Sequence, residues 1–146
     1  MSDTELLPVL AEIRDDFLAL TVKERLQLLL EFSNELPELP ERYADHPELF
    51  EKVVECQSPV FIFVEVDEHG IVHFFATAPR EAPTTRGFAS ILAQGLTGLT
   101  AGQMLAVPDD FPQMLGLSQA VSPLRLRGMS GMLGRAKRQV RALVQP

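Results

Sequence analysis

The sequence contains one cysteine, Cys56, which lies in the polar segment Glu55-Cys56-Gln57-Ser58 directly before Pro59. A thiolate on such a loop is a strong nucleophile that could be presented to solvent or to a partner, but a lone cysteine is most often a small buried hydrophobic residue. Functional residues concentrate on loops that a rigid element positions. The adjacent Glu55 raises the pKa of this thiol, whereas a nearby arginine would lower it. Cys56 is therefore either a reactive thiol on a loop or a small buried hydrophobic residue. As a single cysteine, it forms no intramolecular disulfide.

The three histidines, His46, His69 and His73, do not converge on one site in the predicted elements. Without a Cys/His cluster the sequence contains no closed zinc site, and no metal is expected. His73 could act as the base for Cys56 in a small cysteine hydrolase. No orienting Asn or Asp and no oxyanion motif accompanies that pair. A stand-alone cysteine-dependent hydrolase or thiol transferase remains one alternative.

Helical periodicity dominates the N-terminal third of the chain. Apolar residues spaced by three and four predict an amphipathic helix over residues 4–19. Thr21 and Glu24 then form a capping box, in which each side chain can bond the backbone amide of the other residue. This box starts a second helix, which should end near Leu36 because two prolines follow closely.

The clearest signal of β-structure follows. A loop over residues 37–45 and a short helical turn ending around Val53 lead into the connector that carries Cys56. Residues 60–66 and 71–77 are rich in β-branched and aromatic residues, and the short turn between them contains a glycine. This pattern predicts an antiparallel β-hairpin.

Two further helices are predicted after the hairpin. The first covers residues 85–96, and the last begins where Ser122 and Pro123 supply an N-cap and a first-turn proline. Because the helices come before and after the hairpin, the order predicts an α+β fold with a small antiparallel sheet packed against N-terminal and C-terminal helices. The length of 146 residues, 46% of them hydrophobic, suits one domain over residues 1–146.

Three glycines, Gly128, Gly131 and Gly134, lie on nearly one face of the last helix. Each costs about 1 kcal/mol of helix stability relative to alanine, so a compensating contact is expected. We predict the close approach of another backbone to this face. The glycines lie inside the helix and not at its start, and no strand leads into it, which excludes a dinucleotide-binding motif.

The composition narrows the range of partners. The net charge of −7 argues against a nucleic-acid partner, because phosphate binding relies on an excess of Lys and Arg. No apolar run approaches the roughly 18–20 residues that span a bilayer, and the acidic N-terminus does not resemble a signal peptide. We therefore expect a cytoplasmic protein that does not bind membranes.

The charges are segregated along the chain. Residues 1–55 contain fourteen acidic and five basic residues, whereas residues 122–146 contain six basic and no acidic residues. The basic segment either complements the end of its own helix and the acidic N-terminal helices, or forms a docking surface for an acidic partner.

Four short blocks carry a family resemblance. They are LPELP at 36–40, VECQSPV at 54–60, TRG at 85–87 and SPLRLRGM at 122–129. In content and order these blocks, within a core of roughly residues 17–143, resemble the SufE family of sulfur acceptors. The resemblance implies a SufE/IscU-like fold. Two positions depart from the common family pattern: Glu55 replaces a glycine, and Leu124-Arg125 replaces a Ser-Arg pair.

The resemblance also implies a function in iron–sulfur cluster assembly. A SufS-like, pyridoxal-phosphate-dependent cysteine desulfurase would donate persulfide sulfur to Cys56. Because the desulfurase would then be free of that sulfur, it could turn over again and would be stimulated. The resemblance further implies that Cys56 rests partly shielded and swings out when the partner binds. The cofactor belongs to the desulfurase, so none is expected in this chain, which would be a sulfur carrier and activator more than an independent enzyme. A SufBCD-like scaffold is a candidate recipient, and a monomer or weak dimer is expected.

By the same resemblance, Arg125 supports the cysteine loop or stabilises the thiolate, with Glu55, Gln57 and Ser58 as the other loop residues of the site. Arg86 takes a structural or docking role. A second alternative to sulfur acceptance is a non-catalytic interaction module in which Cys56 is incidental.

Overall fold

A three-stranded antiparallel sheet lies at the centre of the fold, which a computed structural model describes over residues 6–145. The strands are β1 (Glu51–Lys52), β2 (Phe61–Val66) and β3 (Val72–Thr77), in the spatial order β1-β2-β3. The hairpin expected from the sequence is confirmed by β2 and β3, which pair along their whole length.

The turn of this hairpin is fixed by one carboxylate and one glycine. Asp67 accepts hydrogen bonds from the backbone amides of His69 at 2.9 Å and Ile71 at 3.0 Å. Gly70 has φ of +77°, a left-handed conformation that favours glycine. The turn therefore sets the register of the two strands locally.

Six α-helices surround the sheet within the described residues. They are α1 (Pro8–Leu18), α2 (Val22–Asn34), α3 (Glu41–Ala44), α4 (Pro83–Leu96), α5 (Ala101–Leu105) and α6 (Pro123–Val144). The first two residues of the helix predicted over 4–19 lie outside the described part of the chain. None of the helices in residues 6–145 combines the length and hydrophobicity needed to cross a membrane.

The predicted helix starts at Thr21 and Ser122 are confirmed. Thr21 Oγ1 accepts from the amide of Glu24 at 3.2 Å, and the Glu24 carboxylate accepts from the amide of Thr21 at 3.0 Å. At the start of α6, Ser122 Oγ accepts from the amide of Arg125 at 3.2 Å, and Pro123 occupies the first turn. These caps satisfy amides that would otherwise lack partners.

Helix α4 is the central helix of the core. It packs against β3 on one side and against α2 on the other, and it also contacts α1 and α6. Its side chains are buried on nearly all sides, as expected for a helix enclosed by other elements. Helix α6 packs on β2, so α4 and α6 together cover one face of the sheet. The α+β fold predicted from the sequence is thereby confirmed.

The segment before the hairpin differs from the prediction. The expected loop over residues 37–45 contains α3, because Tyr43 packs on the outer face of the sheet, with its ring centroid 5.1 Å from that of Phe63. The expected helical turn up to Val53 is wrong beyond Leu49. A 3₁₀ turn ends there, and β1 then pairs with β2. Both elements depend on contacts with the sheet, which local sequence patterns do not report.

Gly87 of α4 tests the packing of α4 against α2. A Cβ at this position would lie 2.5 Å from the backbone oxygen of Leu29 and 2.7 Å from its Cδ1. We expect Gly87→Ala to lower the free energy of unfolding by about 1–3 kcal/mol, measured by urea denaturation. Gly102→Ala in α5, where a Cβ meets nothing within 4 Å, is the matched control. It should be neutral or stabilising, and an equally stable Gly87→Ala protein would contradict the packing.

Candidate functional site

Cys56 lies on a short loop between β1 and β2. The base of the loop is closed by a hydrogen bond from the amide of Val53 to the carbonyl of Val60 at 2.9 Å, and both valines are fully buried. The amide of Cys56 donates to the carbonyl of Val53 at 3.1 Å, which bends the loop into a turn. The loop is thus anchored at both ends in the core and projects from the sheet between them.

The loop packs against α6 at two glycines. A Cβ at Gly128 would lie 2.8 Å from Cys56 Sγ, and a Cβ at Gly131 would lie 2.8 Å from the Glu55 carboxylate. A Cβ at Gly134 would meet nothing within 4 Å. The predicted close approach is therefore correct for two of the three glycines. The nearest atoms belong to side chains, and at Gly128 the backbone Cα of Cys56 follows at 3.7 Å.

An ion-pair network continues this contact along α6. Both oxygens of Glu55 accept from Arg135, from Nε at 2.8 Å and from a terminal nitrogen at 3.1 Å. The other terminal nitrogen of Arg135 donates to Glu51 of β1 at 2.6 Å. Glu51 also accepts from Arg138 and from Gln139, the latter at 2.9 Å. Arg135 therefore ties the cysteine loop and β1 to the same helix.

The surroundings of Cys56 stabilise its neutral thiol. Burial, assisted by the negative charge of Glu55 and opposed by Arg135, raises the pKa of Cys56 to about 11. With this pKa only about one thiol in 10,000 is a thiolate at pH 7. The hydrogen bonds from Arg135 lower the pKa of Glu55, which keeps that carboxylate charged. At rest the cysteine is therefore a weak nucleophile.

A cavity of about 140 Å³ opens beside Cys56. Its three walls are residues 55–58 of the loop, residues 81–83 with Thr85 at the start of α4, and Leu124 with Arg125 at the start of α6. All loop residues predicted for the site thus meet in one place, together with Arg125. Among the described residues that line the cavity, Arg125 is the one positively charged residue, and its side chain is exposed.

The structure does not bring the histidines to Cys56. His73 pairs with Glu65 near the turn end of the hairpin and faces away from the helices, with Nε2 2.9 Å from Asp67. This contact, the largest of several causes, lowers the pKa of Asp67 to about 2. His46 contacts Glu48 instead. Within residues 6–145 no group of His, Cys, Asp or Glu side chains is arranged to hold a metal ion.

The role of Arg135 was not expected from the sequence, which left the basic segment either to complement helices or to form a docking surface for an acidic partner. Arg135 and Arg138 instead pair with acids of β1 and the cysteine loop, and Lys137 pairs with Asp109 at 2.7 Å. A signal was present in the spacing, because Gly128 and Arg135 are seven residues apart and share one helix face. Arg86 binds the carbonyls of Ser33 and Ala78, so its guanidinium is held within the fold.

The fold and this site define a small α+β domain that holds one cysteine on a loop, against a glycine face of a long helix. The model of the SufE family, described as an Fe-S metabolism associated domain, matches residues 11–140. An uncharacterized SufE-like protein of Mycobacterium tuberculosis is 53% identical over 132 residues, covering 90% of this chain and 91% of the relative. The chain therefore belongs to the SufE family.

More distant proteins are similar over most of the chain. A SufE-like protein of Synechocystis is 28% identical over 129 residues, which cover 88% of this chain and 77% of that protein. The solution structure of a hypothetical protein from Thermus thermophilus is similar, with a TM-score of 0.83 and 34% identity. The structural match covers 97% of this chain and 100% of the Thermus thermophilus chain. The Thermus thermophilus protein thus has the same fold as this chain.

Gly128 offers a direct test of how α6 shields the thiol. A methyl group there would push Cys56 Sγ away from α6, and alanine is compatible with the helical conformation of α6. We expect Gly128→Ala to raise the rate of alkylation of Cys56 by iodoacetamide about threefold, because a less buried thiol has a lower pKa and is more accessible. Gly134→Ala, which meets open space, should react as the wild type does. Equal rates for both variants would mean that Gly128 does not control access to the thiol.

Proposed function

We propose that this protein accepts persulfide sulfur on Cys56 from a SufS-like cysteine desulfurase, stimulates that enzyme, and delivers the sulfur to iron–sulfur cluster assembly. The observation that carries the proposal is the position of Cys56. It lies on a loop anchored at both ends and lines a cavity together with the positively charged Arg125. Membership of the SufE family supports the connection with iron–sulfur metabolism.

The transfer is a thiol exchange at the outer sulfur of the donor. The Cys56 thiolate attacks the terminal sulfur of the donor persulfide, and a new S–S bond forms as the bond to the donor cysteine breaks. The donor leaves as a thiolate and takes up the proton that Cys56 released. One thiol and one persulfide enter, one persulfide and one thiol leave, and no external oxidant or reductant is needed.

The shielded resting state of Cys56 supports a carrier that acts only on a docked partner. A thiol with a pKa of about 11 reacts slowly with oxidants and free electrophiles at neutral pH. Two exposed apolar side chains flank the site, with 67% of Val54 and 44% of Leu124 accessible to solvent. The desulfurase would cover them as its persulfide reaches the thiol.

Arg125 is proposed to stabilise the thiolate once the loop has moved. It lines the cavity together with Cys56, and its exposed guanidinium can approach an anion on the loop. A cation beside a thiolate favours the charged form and so raises the rate of attack. The alternative of a stand-alone hydrolase lacks this support, because His73 bonds Asp67 at the turn after β2, whereas the Cys56 loop lies before β2.

Cys56→Ser tests sulfur acceptance. The wild type should raise cysteine-dependent sulfide release by the matched cysteine desulfurase in the presence of a reductant, whereas the serine variant should not. After reaction without reductant, intact mass spectrometry should show one added sulfur, about 32 Da, on the wild-type chain only.

Folding and partner-independent reactivity provide the controls. Equal melting temperatures would show that Cys56→Ser folds normally. Stimulation by the serine variant would favour the interaction module with an incidental cysteine. Reaction of the wild type with small ester or thioester substrates, without any desulfurase, would favour the stand-alone enzyme.

Arg125→Ala tests the proposed support of the thiolate. Because the side chain is exposed, we expect an unchanged melting temperature and a rate of persulfide acceptance reduced roughly tenfold at saturating desulfurase. Arg127→Ala, an exposed arginine two residues away, is the matched control and should behave as the wild type. An unchanged rate in Arg125→Ala would remove this residue from the site.

A further inference from the structure

The Cys56 loop is fastened to α6 by one charged pair, formed by Glu55 and Arg135. On α6, Gly128, Gly131 and Arg135 lie on one face, since residues three, four and seven apart are aligned along a helix. This face meets Cys56 at the first position and Glu55 at the other two. Cys56 and Glu55 therefore contact different positions on the same face of α6.

The charged pair has the geometry of a strong contact. Both Glu55 oxygens bind Arg135, in the two-pronged arrangement that suits a guanidinium. The side chains are largely shielded, with 32% of Glu55 and 23% of Arg135 accessible. Solvent and salt therefore weaken this pair less than a fully exposed one.

Arg135 is itself held in place by the sheet. It donates to Glu51 of β1, which also accepts from Gln139. The side-chain oxygen of Gln139 accepts from the backbone amide of Val64 in β2 at 2.8 Å. The guanidinium is thus held in place by the sheet, and its contact with Glu55 limits where the loop can lie.

Adjacent Cα atoms are about 3.8 Å apart, so Cys56 cannot move far while Glu55 stays bound to Arg135. We propose that Glu55 and Arg135 are positioning residues that hold Cys56 against Gly128 at rest, and that their ion pair must open before the thiol reaches a partner's persulfide. This inference rests on the proposed function for its last step. The holding of the thiol at rest is independent of any partner.

The two members of the pair have opposite electrostatic effects on the thiol. Burial is the main reason for the raised pKa of Cys56, Glu55 adds to it, and Arg135 opposes it. Removing Glu55 frees the loop and leaves a positive charge nearby. Removing Arg135 frees the loop and leaves a negative charge. A purely structural role would give both variants the same thiol pKa.

The test compares Glu55→Gln and Arg135→Gln with the wild type, using iodoacetamide alkylation of Cys56 from pH 7 to pH 10 and no desulfurase. Both variants should be alkylated roughly three- to tenfold faster at pH 8, the effect of losing a partly shielded ion pair. The thiol pKa should be lower in Glu55→Gln than in Arg135→Gln. Arg135→Lys, which keeps the charge and loses the fork, should react at an intermediate rate.

Arg141→Gln is the control for charge and helix stability, because Arg141 is an exposed arginine on the same helix. It should be alkylated at the wild-type rate. Wild-type rates in Glu55→Gln and Arg135→Gln would overturn the inference. So would equal acceleration in all three glutamine variants with lowered melting temperatures, since the cause would then be general destabilisation.

A second measurement separates this inference from the proposed function. Persulfide acceptance from the desulfurase should begin at lower acceptor concentration in Glu55→Gln than in the wild type, because docking no longer has to open the pair. If the wild type accepts sulfur and all rates are insensitive to Glu55 and Arg135, the inference fails and the function stands. If the wild type accepts no sulfur but the alkylation rates change as expected, the function fails and the positioning role stands.

Discussion

The contact between the cysteine loop and helix α6 is the constraint on which the site depends. Cys56 is close enough to the helix only because Gly128 has no side chain, and the same holds for Glu55 over Gly131. The contact requires α6 to lie at a fixed distance from the sheet edge where the loop begins. That distance is set by the packing of α6 on β2 and by the hydrogen bond between Gln139 and Val64.

In the proposed function, this arrangement reconciles two opposing demands on a thiol that accepts sulfur. A thiol that must react with a persulfide has to become a thiolate, yet a permanently exposed thiolate is open to oxidation. Burial keeps the Cys56 thiol protonated, and Glu55 reinforces that state. The charges that can favour a thiolate both lie on α6, with Arg125 at the cavity beside Cys56 and Arg135 bound to Glu55. Movement of the loop can therefore change the reactivity of the thiol, because it changes the burial of the thiol and its distance from these charges.

Several features of the fold were predictable because their causes are local. The hairpin follows from two β-rich runs and a turn in which Asp67 and Gly70 fix the backbone. The helix starts follow from capping residues such as Thr21 and Ser122. The two-residue strand β1 and the single-turn helix α3 were not predictable, because each forms only against a neighbouring strand or aromatic face. Such elements are too short for a hydrophobic period to define.

The amino-acid sequence alone predicts one cysteine on a connector before a hairpin, beside a carboxylate, and a basic glycine-bearing helix in the C-terminal part of the chain. These are properties of residue order and periodicity. The contact between Glu55 and Arg135, which are 80 residues apart in the chain, arises instead from the packing of distant elements. That pairing depends on the rotation and position of α6 against β2, which many buried contacts fix together and no local pattern encodes.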